Sequence, residues 1–110
     1  NYSMPKQDIS ISIPVGVSYT SDLDEVERVT LEVAHEVMQR VETKIEIEPS
    51  VRFHTFAESS IDFNVTLHSS DFANQFLLKH EFIKALTKRY RQEGIEIPYP
   101  IRTVINETVS

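Results

Sequence analysis

SVRFHTFAESSIDFNVTLH, residues 50–68, carries two runs of alternating apolar and polar residues around a short polar break. Val51, Phe53 and Thr55 mark the first run; Ile61, Phe63, Val65 and Leu67 mark the second. Period two is the pattern of a strand with one buried face, and two such runs this close in sequence read as a hairpin. Parity sets the connection. A two-residue loop would put Phe53 opposite Thr66, on the wrong face from Val65. A three-residue loop at Glu58, Ser59 and Ser60 puts Phe53 opposite Val65, both toward a core.

Working outward, the period changes on both sides. Upstream, Ser21 or Asp22 can cap a helix, and Asp22 with Glu25 has capping-box spacing. Acidic residues 22, 24, 25 and 27 fall where the helix dipole favours them. Leu23, Val26, Val33, Val37 and Val41, with Ala34 between, form a stripe at helical spacing that ends by about Lys44. Valine is a poor helix former, so packing must hold this helix. Downstream, Ser70 or Asp71 opens a second helix and Gly94 closes it. Phe72, Phe76, Ile83, Leu86 and Tyr90 mark its apolar face, widened by Leu78 and Phe82. Lys88, Arg89 and Arg91 sit near its C-terminus, the end that favours cations.

Outermost lie two more alternations. Ile9, Ile11, Ile13, Val15, Val17 and Tyr19 alternate with Ser10, Ser12, Pro14, Gly16 and Ser18, a strand with one small, polar face. Pro14 lacks a ladder donor, which predicts an edge strand or a bulge there. Ile95 and Ile97 alternate after the helix stop, and Pro98 and Pro100 then end any ladder. The order β-α-β-β-α-β predicts an α+β, ferredoxin-like sandwich, with two helices on one face of an antiparallel or mixed sheet. Residues 1–8 read as a linker from a preceding β-domain, 9–100 as the domain, and 101–110 as a C-terminal strand or tail extending outward.

Composition narrows the function. A chain of 110 residues supports one domain. Its formal charge of -6 argues against a nucleic-acid partner, which would need a basic field. There is no cysteine, hence no disulfide framework or thiolate chemistry. No apolar run of about eighteen residues is present to span a bilayer. The chain opens with Asn1, and excision from a longer protein is expected. His35, His54, His68 and His80 show no metal-ligand spacing, so no metal or cofactor is expected. The carboxylates cluster at helix starts, where capping explains them without catalysis. With no nucleophile elbow or phosphate loop either, the chain does not read as an enzyme.

Three stretches together resemble the C-terminal domain of the small-conductance mechanosensitive channel (MscS) family. SIPVGVSYTSDLDEV resembles its strand-to-helix entry, ESSIDFNV its hairpin, and GIEIPYPIRTV its closing motif, with an aromatic between two prolines. NYSMP resembles the link from the preceding β-domain. The likeness runs from Asn1 to about Val104. It implies a homoheptameric, tension-gated pore that releases ions and small solutes on hypo-osmotic shock. This soluble part would lie at the cytoplasmic face of the inner membrane, the membrane being reached only through segments N-terminal to it. Seven copies would enclose a vestibule that filters solutes and modulates gating, while the isolated domain is expected to be monomeric or weakly associated. Pro98, Tyr99, Pro100 and Ile101 would turn the chain into a barrel shared by the subunits, with Thr103 and Ile105 on the same strand face as Ile101. Pro14 and Gly16 would shape the first strand. The competing reading is a free-standing ferredoxin-like module that binds a small ligand or regulates a partner.

Overall fold

The computed structural model describes residues 8–42 and 47–98. Within them the chain forms β1 (Ile9–Val17), α1 (Leu23–Val41), β2 (Ser50–Phe56), β3 (Ile61–Ser69) and α2 (Asn74–Glu93). The described strands make one antiparallel sheet in the order β1-β3-β2. The middle strand is the second arm of the hairpin, so β1 crosses over α1 and β2 to reach its neighbour.

One face of this sheet is covered by both helices. Ile11, Ile13 and Val17 from β1, Val51 from β2 and Phe63, Val65 and Leu67 from β3 point into the core. Leu78, Phe82, Leu86 and Tyr90 of α2 meet them, as do Val26, Val29, Val33, Ala34, Val37 and Met38 of α1. The valine-rich helix is thus held by burial, which offsets its low intrinsic propensity. Asp22 is its N-cap: Oδ1 accepts from the Asp24 and Glu25 amides at 3.1 and 3.4 Å. The helix closes at Glu42, within the expected limit of about Lys44.

The hairpin departs from the expected register. Its connection spans four residues, Ala57–Ser60, closed by a hydrogen bond from the Ala57 amide to the Ser60 carbonyl at 2.8 Å. Phe56 pairs with Ile61, and a bulge between Phe53 and Thr55 absorbs the odd residue, His54. Phe53 therefore faces Phe63, with ring centroids 4.8 Å apart, and Val51 faces Val65. The parity argument placed the right face inward. It missed that an inserted residue restores parity as well as a longer loop does.

Three further expectations are corrected. On α2, Phe72 and Phe76 are each 66 % exposed and Ile83 is 46 % exposed. The buried row is Leu78, Phe82, Leu86 and Tyr90, spaced four apart, the row that meets α1 and the sheet; Phe72 lies in a turn before α2 starts at Asn74. Tyr19 is not a core strand residue. It lies past the end of β1, half exposed, and its hydroxyl donates to the Ala57 carbonyl, tying the β1–α1 turn to the hairpin loop. Ile95 and Ile97 form no strand. Residues 95–98 are irregular, with one backbone bond to the sheet, from the Ser18 amide to the Glu96 carbonyl at 3.0 Å.

Candidate functional site

The expected site residues are Pro14, Gly16, Pro98, Tyr99, Pro100, Ile101, Thr103 and Ile105. The last five lie outside the described residues. The first three come together around one cleft on the free face of the sheet, about 380 Å³ in volume, with Ile97, His54, Asp62 and Asn64 among its other walls.

Each wall has a local cause. Among the described residues β1 pairs only with β3, so its other edge is open. Strand amides alternate between the two edges, and the Ser18 amide reaches outward to Glu96. Pro14, on the same parity, therefore lacks its N–H on the open side, and the β1–β3 register runs through it without a shift. An edge without that donor is a poor template for a stray strand.

Gly16 answers a different demand. A Cβ there would stand 2.8 Å from Asp62 Oδ1, 3.0 Å from Ser60 Oγ and 3.2 Å from Ser60 Cβ. Asp62 Oδ1 is itself engaged, accepting from the Ser60 hydroxyl at 2.6 Å. The bare backbone of β1 lets this pair fold across the strand. Gly16→Val is expected to cost about 1–3 kcal/mol by overpacking, measured by urea unfolding. An unchanged midpoint would show that the Ser60–Asp62 pair swings away freely.

The approach to Pro98 is fixed by the end of α2. Gly94 adopts φ 74°, ψ 24°, a left-handed cap that glycine takes without a Cβ clash. The amides of Gly94 and Ile95 both donate to the Tyr90 carbonyl, the latter at 2.9 Å. Ile95 packs on the core, Glu96 bonds to Ser18, and Ile97 with Pro98 reaches the free face. The exit direction is thus set within five residues of the helix end.

Polar contacts that tie the helices together were not legible in the sequence. Glu42, at the end of α1, accepts from the Ser69 hydroxyl, from the Ser70 amide at 3.2 Å and from the Ser70 hydroxyl at 3.1 Å. Partial burial pushes its carboxyl up, but the hydrogen bonds from Ser69, Ser70 and Asn74 outweigh this and hold it below its ordinary value. Arg89 of α2 bonds Glu32 of α1 at 2.7 Å and Glu93 at 2.8 Å. The hydrogen bond from Arg89 lowers the Glu32 carboxyl. Deeper in, the Tyr90 hydroxyl meets Thr30, and burial pushes the phenol up to about 12. Apart from Arg89 with Glu93, four residues on, these partners lie 27 to 60 residues apart, and no short-range pattern announces them.

Of the histidines, His68 meets Asp8 at 3.0 Å and His35 meets Glu48 at 3.5 Å. Among the described residues, no group of three or more His, Cys, Asp or Glu is placed to hold a metal ion. What the site offers is shape: a blocked strand edge, a guided chain exit and a small-residue face.

The family model of the mechanosensitive ion channel MscS, C-terminal domain, matches residues 11–97. The chain belongs to the MscS channel family. The matched span holds Pro14, Gly16, the hairpin and the chain exit up to Ile97. A family of ion channels accounts for a site built of shape rather than of catalytic groups. Among solved structures, Helicobacter pylori MscS in its closed state is similar in fold, with a TM-score of 0.59 at 20 % identity over 93 % of this chain. The chain covers 39 % of the length of that channel subunit. No curated protein matches the sequence.

Proposed function

We propose that this MscS-family domain forms part of the cytoplasmic vestibule of a tension-gated channel that releases ions and small solutes on hypo-osmotic shock. The observation that carries the reading is the family match over residues 11–97. No described helix is long and apolar enough to cross a membrane, so in this reading other segments of the parent supply the pore. Seven copies surround the vestibule at the inner membrane, where the domain contributes to assembly, to solute filtering and to gating. Residues 98–101 turn the chain from the free face into a strand of a barrel shared between subunits, with Ile101, Thr103 and Ile105 on one face. A short terminal strand gains little by itself, whereas several can close a barrel without edges.

The test is a patch-clamp recording of the full-length gene product under stepped suction, in a host without its own channels. Tension-dependent openings are expected, altered when residues 98–101 are deleted. Openings indifferent to the deletion would keep the channel and remove the barrel turn. Silence from protein demonstrably in the membrane would overturn the channel reading.

A further inference from the structure

Among the described residues β1 is held along one side only, by β3. Its first pairs are Ile9 with Ser69, Ser10 with His68 and Ile11 with Leu67. Ile9 is half-buried and Ser10 is exposed, so burial holds this end of the strand less firmly than it holds Ile11 and Ile13. An edge strand opens first where few buried contacts hold it. One side-chain contact bridges this end. The Asp8 carboxylate, one residue before β1, lies 3.0 Å from His68 Nδ1 on β3, 60 residues away in sequence. The His68 side chain is 16 % exposed, which shields the pair on the imidazole side. Neither group has a second hydrogen-bond or ion-pair partner among the described residues.

The other charged groups at this end of the sheet are turned to partners of their own. From α1, Glu42 bonds Ser69 and Ser70, and Ser69 is buried on the helix-covered face. At the entry to α2, Asp71 accepts from the Ala73 amide. On the approach to β2, Glu48 meets His35 of α1. β2 itself begins only at Ser50, opposite Thr66; its Arg52 sits opposite Asn64, four residues along β3 from His68, and donates to the Val51 carbonyl. From β1 the cross-strand neighbour of His68 is the uncharged Ser10. Asp8 is thus the one carboxylate within 4 Å of His68 among the described residues.

We propose that His68 and Asp8 form a proton-operated latch on the entry to β1, closed when the imidazole is charged and slack when it is neutral. As imidazolium, His68 makes a charge-assisted bond to the carboxylate, about twice as strong as a neutral one. As neutral imidazole it keeps a weaker bond when the proton sits on Nδ1; with the proton on Nε2, two acceptors face each other. Histidine side chains change charge between about pH 5 and 8, a range in which aspartate is ionised. The latch therefore closes as the solution turns mildly acidic and slackens as it turns alkaline. A pull on the chain before Asp8 loads the end of the β1–β3 ladder first, so the latch sets how readily β1 peels from the sheet. It is a property of the fold and does not depend on the channel reading.

Amide hydrogen exchange of the full-length gene product, read by mass spectrometry at about pH 6 and about pH 8, tests the latch, with labelling times scaled to the intrinsic rate at each pH. After scaling, peptides covering the start of β1 are expected to exchange roughly three- to fivefold more slowly at the lower pH, and those covering β2 to show no difference. His68→Gln keeps a neutral donor and Asp8→Asn a neutral acceptor, and each is expected to abolish the difference at β1. Asp8 is 40 % exposed, so its variant decides the matter if His68→Gln fails to fold. His35→Gln, at a more exposed contact, is expected to leave the difference in place. Equal exchange at the two pH values in the unaltered protein would overturn the latch. So would a difference at β1 that survives Asp8→Asn, or one of the same size in every strand.

Discussion

Replacing Phe63 by alanine is expected to lower the unfolding free energy by about 3–5 kcal/mol. Phe63 is fully buried in the central strand, flanked by Val15 of β1 and Phe53 of β2, and sits in the same core as Phe82 and Tyr90. Its removal would leave a cavity that three elements border and none can fill, because strands paired on both sides cannot close inward. A domain of this size is stable by only about 5–15 kcal/mol, so the loss takes a large share. Chemical denaturation with tryptophan-free detection, such as far-ultraviolet circular dichroism, measures it. Phe56→Ala is the control: that ring is 82 % exposed and its loss is expected to cost under about 0.5 kcal/mol. Equal losses at the two sites would mean that the hairpin is inserted in the other register.

The second large effect is expected at Glu42. Glu42→Gln leaves the side-chain shape but removes the charge that gathers Ser69, Ser70 and Asn74 at the entry to α2. The N-cap of α2, Ala73, has no side-chain acceptor of its own, so a carboxylate from α1 supplies negative charge near that helix start. Hydrogen bonds to a charged group contribute about 1.5–3 kcal/mol, and a loss toward the lower end is expected because Gln can still accept. The pH dependence has a definite sign. The folded-state pKa of Glu42 lies below its ordinary value of 4.5. Its contribution is therefore complete above pH 4.5 and is lost as pH falls through the lower, folded-state value. The gap in melting temperature between the two proteins should be full at neutral pH and narrow below pH 4.5. A gap that stays constant down to pH 3 would assign the effect to shape rather than charge.

Much of this fold was readable along the chain because its signals are local. Period two in Ile9–Val17 and Ile61–Ser69 identified strands whose inner faces are apolar and whose outer faces are small or polar. Asp22 and Gly94 announced helix ends, since a cap depends on a few adjacent residues. Pro14 announced an edge or a bulge, because a missing donor is incompatible with regular pairing on both sides, and among the described residues β1 is an edge. The motifs around Gly16, Ser59–Ser60 and the proline pair carried the family, which the match over residues 11–97 then bore out.

Other features depend on what lies across space. The bulge at His54 and the loop at Ala57–Ser60 trade one residue between them, and parity is the same for either solution. Only packing of Phe53 on Phe63 chose. On α2, apolar rings at Phe72, Phe76 and Ile83 satisfy helical spacing as well as Leu78 and Phe82 do. Which row is buried depended on where α1 and the sheet sit against it. The Glu42, Arg89 and Thr30–Tyr90 contacts join residues distant in the chain, and hydrogen bonds leave no periodic trace in sequence. The sequence by itself determined the five elements from β1 to α2, their order and the family, though not the expected strand at Ile95 and Ile97, because those five follow from short-range sterics and patterning. The tertiary structure alone decided register, the buried face of α2 and the polar contacts between distant residues, because each is a competition between surfaces that meet only after the chain has folded.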